Sequence, residues 1–207
     1  MDILLCFNRK YRQHAATTMI SAIENNHKQI NFHVLHKDLL LKDENIFKKF
    51  IHDYDCNIYF YKIDPNDYKG FPVEDDEPVT VETYFRILGA KYIPRHVHRI
   101  LYIDTDTLVL DDISNLFSLE SGGAPLAAVL GCAPAERKLA LGMKADSQYF
   151  NAGVLLLNLD YWRDNRLTEK LTEFIHNSDP KILERWDQDA LNALLFEKSW
   201  IRLPLKY

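Results

Sequence analysis

An α/β fold built on a parallel sheet is the class this sequence predicts. Short apolar runs alternate along the chain with stripes of apolar residues at helical spacing, in the order strand, helix, strand, helix, strand. One further run, Ile100 to Ile103, ends abruptly in two carboxylates, Asp104 and Asp106. The chain has 207 residues, of which 47% are hydrophobic and 27% charged, so one domain with a large core is expected.

Ile3 to Phe7 reads as the first strand. Ala15, Ala16, Met19, Ile20 and Ile23 then form an apolar stripe on a helix. Ile30 to Leu35 is the second strand, and Ile46, Phe47, Phe50, Ile51 and Tyr54 mark the next helical face. Asn57 to Ile63 is the third strand. Asp64 to Pro78 is polar, holds three prolines and carries the acidic run Glu74-Asp75-Asp76-Glu77, which reads as a solvated loop; loops of this length in compact domains often serve as lids. Thr83 to Ala90 reads as a helix, and its Arg86, set among apolar neighbours, either snorkels or pairs with an acid. Later come strands at Ala127–Leu130 and Tyr149–Leu159, the second with small residues Ala152 and Gly153 that suggest a close approach of backbone or ligand. Asp160 is placed to cap a helix with core face Leu167, Leu171 and Phe174. Trp186-Asp187-Gln188-Asp189 opens the last helix, where Asp189 suits a first helical turn.

Two acids at the end of a buried strand need a reason, because unpaired buried charge is expensive. In an extended segment the side chains at i and i+2 share a side, so Asp104 and Asp106 are expected to grip one hard cation, Mg²⁺ or Mn²⁺, with Thr105 turned away. The alternative is a solvated acidic turn paired with Arg99 or Lys91.

The net charge of −5 argues against broad attraction to nucleic acid or anionic membranes. Cys6, Cys56 and Cys132 lie far apart and read as small core residues in a reducing compartment. Met1 to Phe7 lacks a basic leader region, and no apolar run approaches the roughly 18 residues needed to cross a bilayer. The expected location is the cytoplasm.

Several segments resemble one family in order and spacing: the Tyr11 segment, Thr83-Tyr84-Phe85-Arg86, Leu101 to Asp106, Tyr149 to Val154, Asn158 to Arg163, and Asp187-Gln188-Asp189. The chain is similar in these to glycosyltransferase family 8, retaining sugar transferases that include bacterial lipopolysaccharide galactosyl- and glucosyltransferases. The resemblance runs from Ile3 to Tyr207. It implies a GT-A fold, a Rossmann-like α/β sandwich with a mostly parallel central sheet, with residues 1–110 as the nucleotide-binding half and 111–207 as the sugar and acceptor side. It implies a UDP-hexose donor, a saccharide acceptor and Mn²⁺, with Mg²⁺ as the other possible ion. By the same resemblance Asp104 and Asp106 hold the metal, and Arg86, Thr105 and Ala152 contact the donor. Tyr11 stacks on uracil, and Asn151 and Gly153 line the sugar pocket. Asp187 hydrogen-bonds the sugar hydroxyls, and Gln188 lies near the anomeric carbon.

Two departures from the family pattern stand out. Position 8, where an acid often meets the uracil N–H, is Asn8; its amide oxygen can accept that bond, and Arg9-Lys10 follows. Family members also continue past Tyr207 to a metal-binding histidine, whereas the last histidine here is His176. A C-terminally short chain is therefore expected, with weak transfer and any attachment to the inner membrane left to a missing segment. Two other readings stand beside this one. A non-catalytic nucleotide-sugar-binding subunit would bind UDP-sugars without turnover. A haloacid-dehalogenase-type phosphatase fits Asp104 to Leu108, but that motif normally opens its domain.

Overall fold

The computed structural model describes residues 1–73, 80–198 and 200–207. The acidic run Glu74 to Glu77 lies outside the described residues. Seven strands form one sheet in the order β3-β2-β1-β4-β6-β5-β7. They are β1 (Asp2–Cys6), β2 (Asn31–His36), β3 (Asn57–Lys62), β4 (Arg99–Ile103), β5 (Leu126–Leu130), β6 (Phe150–Asn158) and β7 (Ile201–Leu203). β1 lies parallel to both β2 and β4, and β2 lies parallel to β3. β6 runs antiparallel to β4 and β5, and β5 pairs parallel with β7.

The helices are α1 (Arg12–Glu24), α2 (Leu41–His52), α3 (Phe85–Tyr92), α4 (Ser114–Phe117), α5 (Ala135–Ala140), α6 (Leu159–Asp164), α7 (Leu167–Asn177) and α8 (Trp186–Leu195). Alternation along β1 splits the core in two. Ile3 and Leu5 face one layer with Met19 of α1 and Phe47 of α2. Leu4 and Cys6 face the other, with Phe85 of α3, Trp162 of α6, Leu171 of α7 and Leu191 of α8. This is the expected three-layer α/β sandwich.

The chain departs from the sequence expectations in several places. On α2, Phe47 and Ile51 are buried but Ile46 is 66% exposed, and Tyr54 lies beyond the helix. The strand end expected at Tyr149–Leu159 and the helix after it meet at Asn158, whose side chain accepts from Tyr161 N and caps α6. Asp160 instead stands beside His98, 2.8 Å away. That helix is broken at Arg166, which has φ 52°, so α7 starts anew; it buries Leu167, Leu171 and Ile175, with Phe174 packed half-buried against them. Of the cysteines, Cys6 is buried in the core, Cys56 packs half-buried against the other core layer, and Cys132 is exposed.

Candidate active site

Strand order reverses direction of growth at β1 and β4, because β2 and β3 were added on one side of β1 and β4 on the other. Crevices beyond the carboxyl ends of strands at such points bind ligands. A cavity of about 370 Å³ opens there. Asn8, Tyr11, Arg86, Asp104, Thr105 and Asp106, all predicted donor-site residues, lie on its wall. A larger cavity, about 790 Å³, lies elsewhere, against Lys91, Arg95, Trp162 and Arg163, and includes none of the predicted residues.

Arg86 does not snorkel. It is 5% exposed and makes its bonds inward. Nε donates to Thr83 O at 2.9 Å, Nη2 donates to Thr83 Oγ1 at 2.9 Å, and Nη1 donates to Ala152 O. Its guanidinium lies 3.2 Å from Asp104 Oδ1 and 2.8 Å from Asp187 Oδ2, and its central carbon sits 4.3 Å over the Tyr102 ring. Burial disfavours the charge, yet Asp187, Tyr102 and Asp104 hold its pKa above the usual guanidinium range. Tyr102 completes the group by donating to Asp104 Oδ1 at 2.6 Å.

Asp187 is 2% exposed, and its Oδ1 accepts from Thr83 Oγ1 at 3.0 Å. Its Oδ2 accepts no hydrogen bond from any described residue, because the nearby Arg86 Nε–H is directed to Thr83 O. Burial raises the Asp187 pKa to about 6, against the opposing pull of Arg86. One guanidinium thus faces two carboxylates, with exposed Asp106 a third acid on the cavity wall.

The residues predicted for the sugar side lie next to this wall rather than on it. Asp104 N donates to Gly153 O at 2.8 Å, joining the ends of β4 and β6. A Cβ on Gly153 would fall 2.9 Å from Asp104 Oδ2 and 3.0 Å from Asn151 Oδ1, so the close approach expected here is present and a larger residue would have to displace those side-chain oxygens. Gln188 Oε1 accepts from Ala152 N at 2.9 Å and Nε2 donates to Tyr149 Oη at 3.1 Å. Asn151, Ala152, Gly153, Asp187 and Gln188 do not line the 370 Å³ cavity, but the Arg86–Asp187 and Asp104–Gly153 contacts tie them to it.

Three expectations change. Asp104 to Thr107 is a hydrogen-bonded turn, with Thr107 N donating to Asp104 O at 3.2 Å, so the two acids do not share a face of an extended strand. Thr105 is 8% exposed and lies on the cavity wall rather than turned away, and Thr18 Oγ1 of α1 stands 2.8 Å from its carbonyl. The Asn8 amide oxygen accepts from Lys10 N and Tyr11 N at 2.9 and 3.3 Å, which caps a 3-10 turn and occupies the oxygen expected to meet a base. Arg9 turns away to Asp43, 2.9 Å from its Oδ2.

Sequence reasoning missed Glu82, Thr80 and Cys6 on the cavity wall, and Arg137 behind the site. Asp189 is fully buried in the first turn of α8, as expected, and accepts from Tyr149 Oη and Arg185 N at 2.6 Å each and from Arg137 Nε at 3.2 Å, so it also anchors the start of the helix. Among the described residues no group of three His, Cys, Asp or Glu is placed to hold a metal ion, and no helix is long and apolar enough to cross a membrane.

A parallel N-terminal half, an antiparallel strand beside β4 and a D-x-D turn at the switch point make this the GT-A class of glycosyltransferase fold. The family model for "Glycosyl transferase family 8" matches residues 2–207, and the chain belongs to that family. The chain is 30% identical to general stress protein A of Bacillus subtilis over 98% of its length, spanning 71% of that protein. It is 29% identical to a lipopolysaccharide 1,2-glucosyltransferase of Escherichia coli over 97% of its length, spanning 60% of that enzyme. The crystal structure of the galactosyltransferase LgtC with donor and acceptor sugar analogues superposes with a TM-score of 0.90 at 27% identity, covering all of this chain and 74% of that one.

Proposed function

We propose that this chain is a retaining hexosyltransferase that moves galactose or glucose from a UDP-sugar to a saccharide acceptor in lipopolysaccharide or surface-glycan synthesis at the cytoplasmic side. The observation that carries this is Arg86, buried between Asp104 and Asp187 beneath a switch-point cavity. A guanidinium so enclosed fixes the D-x-D acid and the sugar-side acid in one frame.

In this reading residues 1–110 bind the nucleotide and 111–207 present the sugar. Asp104 and Asp106 would hold a divalent cation, Mn²⁺ or Mg²⁺. Two carboxylates with open positions, and an excess of negative charge around one arginine, fit an ion that fills its shell with phosphate and water. Such an ion supplies stabilisation of the charge on the leaving diphosphate. Tyr11 offers a ring to the base. In this reading Asp187 Oδ2, buried and accepting no hydrogen bond from the described residues, would take a sugar hydroxyl. Gln188, its amide held by Ala152 N and Tyr149 Oη, would lie near the anomeric carbon. Release of UDP from UDP-galactose and UDP-glucose, followed with Mn²⁺ and with EDTA, tests the assignment. Metal-dependent release that rises with a saccharide acceptor supports it; binding of UDP-sugars without any turnover would favour a non-catalytic subunit.

A further inference from the structure

Among the described residues, Glu82 is the one cavity-wall acid that the reading above leaves without a task. It is 2% exposed, yet it lines the 370 Å³ cavity, as do Asn8 and Thr80. Its Oε2 accepts from Thr80 Oγ1 at 2.5 Å, and Thr80 Oγ1 in turn accepts from Asn8 Nδ2 at 3.2 Å. Its Oε1 accepts no hydrogen bond from any described residue. Lys37 Nζ stands 3.4 Å from it without hydrogen-bond geometry, so the charge is balanced while the acceptor is left open. A buried carboxylate oxygen with no donor is costly unless a ligand supplies one.

The chain has a matching need. A base with a ring N–H must find an acceptor on this wall, and Asn8 has spent its oxygen on Lys10 N and Tyr11 N. We infer that Glu82 is the specificity-determining acceptor for the nucleobase, taking the N3–H of uracil at Oε1, and that Asn8 acts only through Thr80 to hold it. The inference rests on the nucleotide reading of this cavity. Cytosine carries a bare lone pair at N3 and would meet the carboxylate with like polarity, so the same oxygen rejects it.

The test is a four-way comparison by calorimetry with Mn²⁺ present: UDP and CDP, each against the wild-type chain and Glu82→Gln. Wild type should prefer UDP. In Glu82→Gln, whose amide can turn to offer either a donor or an acceptor, UDP affinity should fall by roughly 10- to 100-fold while CDP affinity holds or rises, so the preference collapses. Thermal melts of the unliganded proteins check folding, and Glu82→Asp, which withdraws the carboxylate by one methylene, carries the same comparison if Glu82→Gln does not fold. An unchanged UDP:CDP ratio in a folded variant would overturn the role of Glu82 while leaving the cavity a nucleotide site. Failure of wild type to bind either nucleotide would overturn the nucleotide reading and this inference with it.

Discussion

At the scale of the residue, Arg86 shows why charge alone is not the property that matters. Its three nitrogens reach Thr83, Ala152, Asp104 and Asp187 at once, which a single ammonium cannot do. Arg86→Lys is therefore expected to lose about 1–3 kcal/mol of UDP-sugar affinity, through misplaced acids rather than lost charge, with a lowered melting temperature. Equal affinity and equal melting would remove Arg86 from the account. Asp187 carries a pH signature. Its folded pKa, raised by burial to about 6 from 3.8, makes the native state hold the proton that the unfolded chain releases between those values. Its contribution to stability therefore falls as pH rises from about 4 to 6 and is level above. Relative to wild type, Asp187→Asn should gain stability across that window, on the order of 1–3 kcal/mol, and hold it above. Denaturant melts at several pH values would show this; a flat difference would contradict a raised pKa.

At the scale of the element, α8 starts at the site because of contacts far from it in sequence. Trp186 has φ 47°, an uncommon conformation for a bulky residue, and the following turn is held by Asp189 on Arg137, Tyr149 and Arg185 N. Arg137→Met would leave Asp189 buried with its charge unpaired, a loss on the order of 3 kcal/mol, and would loosen Asp187 and Gln188 together. Denaturant midpoints and UDP-sugar affinity should fall in parallel; a stable variant with normal affinity would show that the anchor does not matter. Local pattern made β1, β4, β6 and the α1 to α3 layers legible, because apolar spacing reports burial directly. It did not reveal Arg137, Glu82 or the Asp189 anchor, since a polar residue is buried only when a distant partner meets it. The D-x-D geometry failed for a related reason. The turn at Asp104–Thr107 is set by Thr18 of α1, whose hydroxyl lies 2.8 and 2.9 Å from Thr105 O and Thr107 O, and nothing in the local sequence announces that clamp.

At the scale of the molecule, one sheet carries both halves of the site. β4 brings the D-x-D turn, β6 brings Gly153 against it, and α3 and α8 close the group from above with Arg86 and Asp187. The proposed nucleotide and sugar sides are thus joined through the Arg86–Asp104, Arg86–Asp187 and Asp104–Gly153 contacts. If Asp104 and Asp106 hold an ion completed by phosphate, then ion and nucleotide bind each other's complex better than either binds alone. Isothermal calorimetry of UDP with and without Mn²⁺, on wild type and on Asp106→Ala, measures that coupling. The account predicts at least about a fivefold gain in UDP affinity from Mn²⁺ in wild type, and its loss in the variant. Equal UDP affinity in Mn²⁺ and in EDTA, or a metal effect that survives Asp106→Ala, would contradict it.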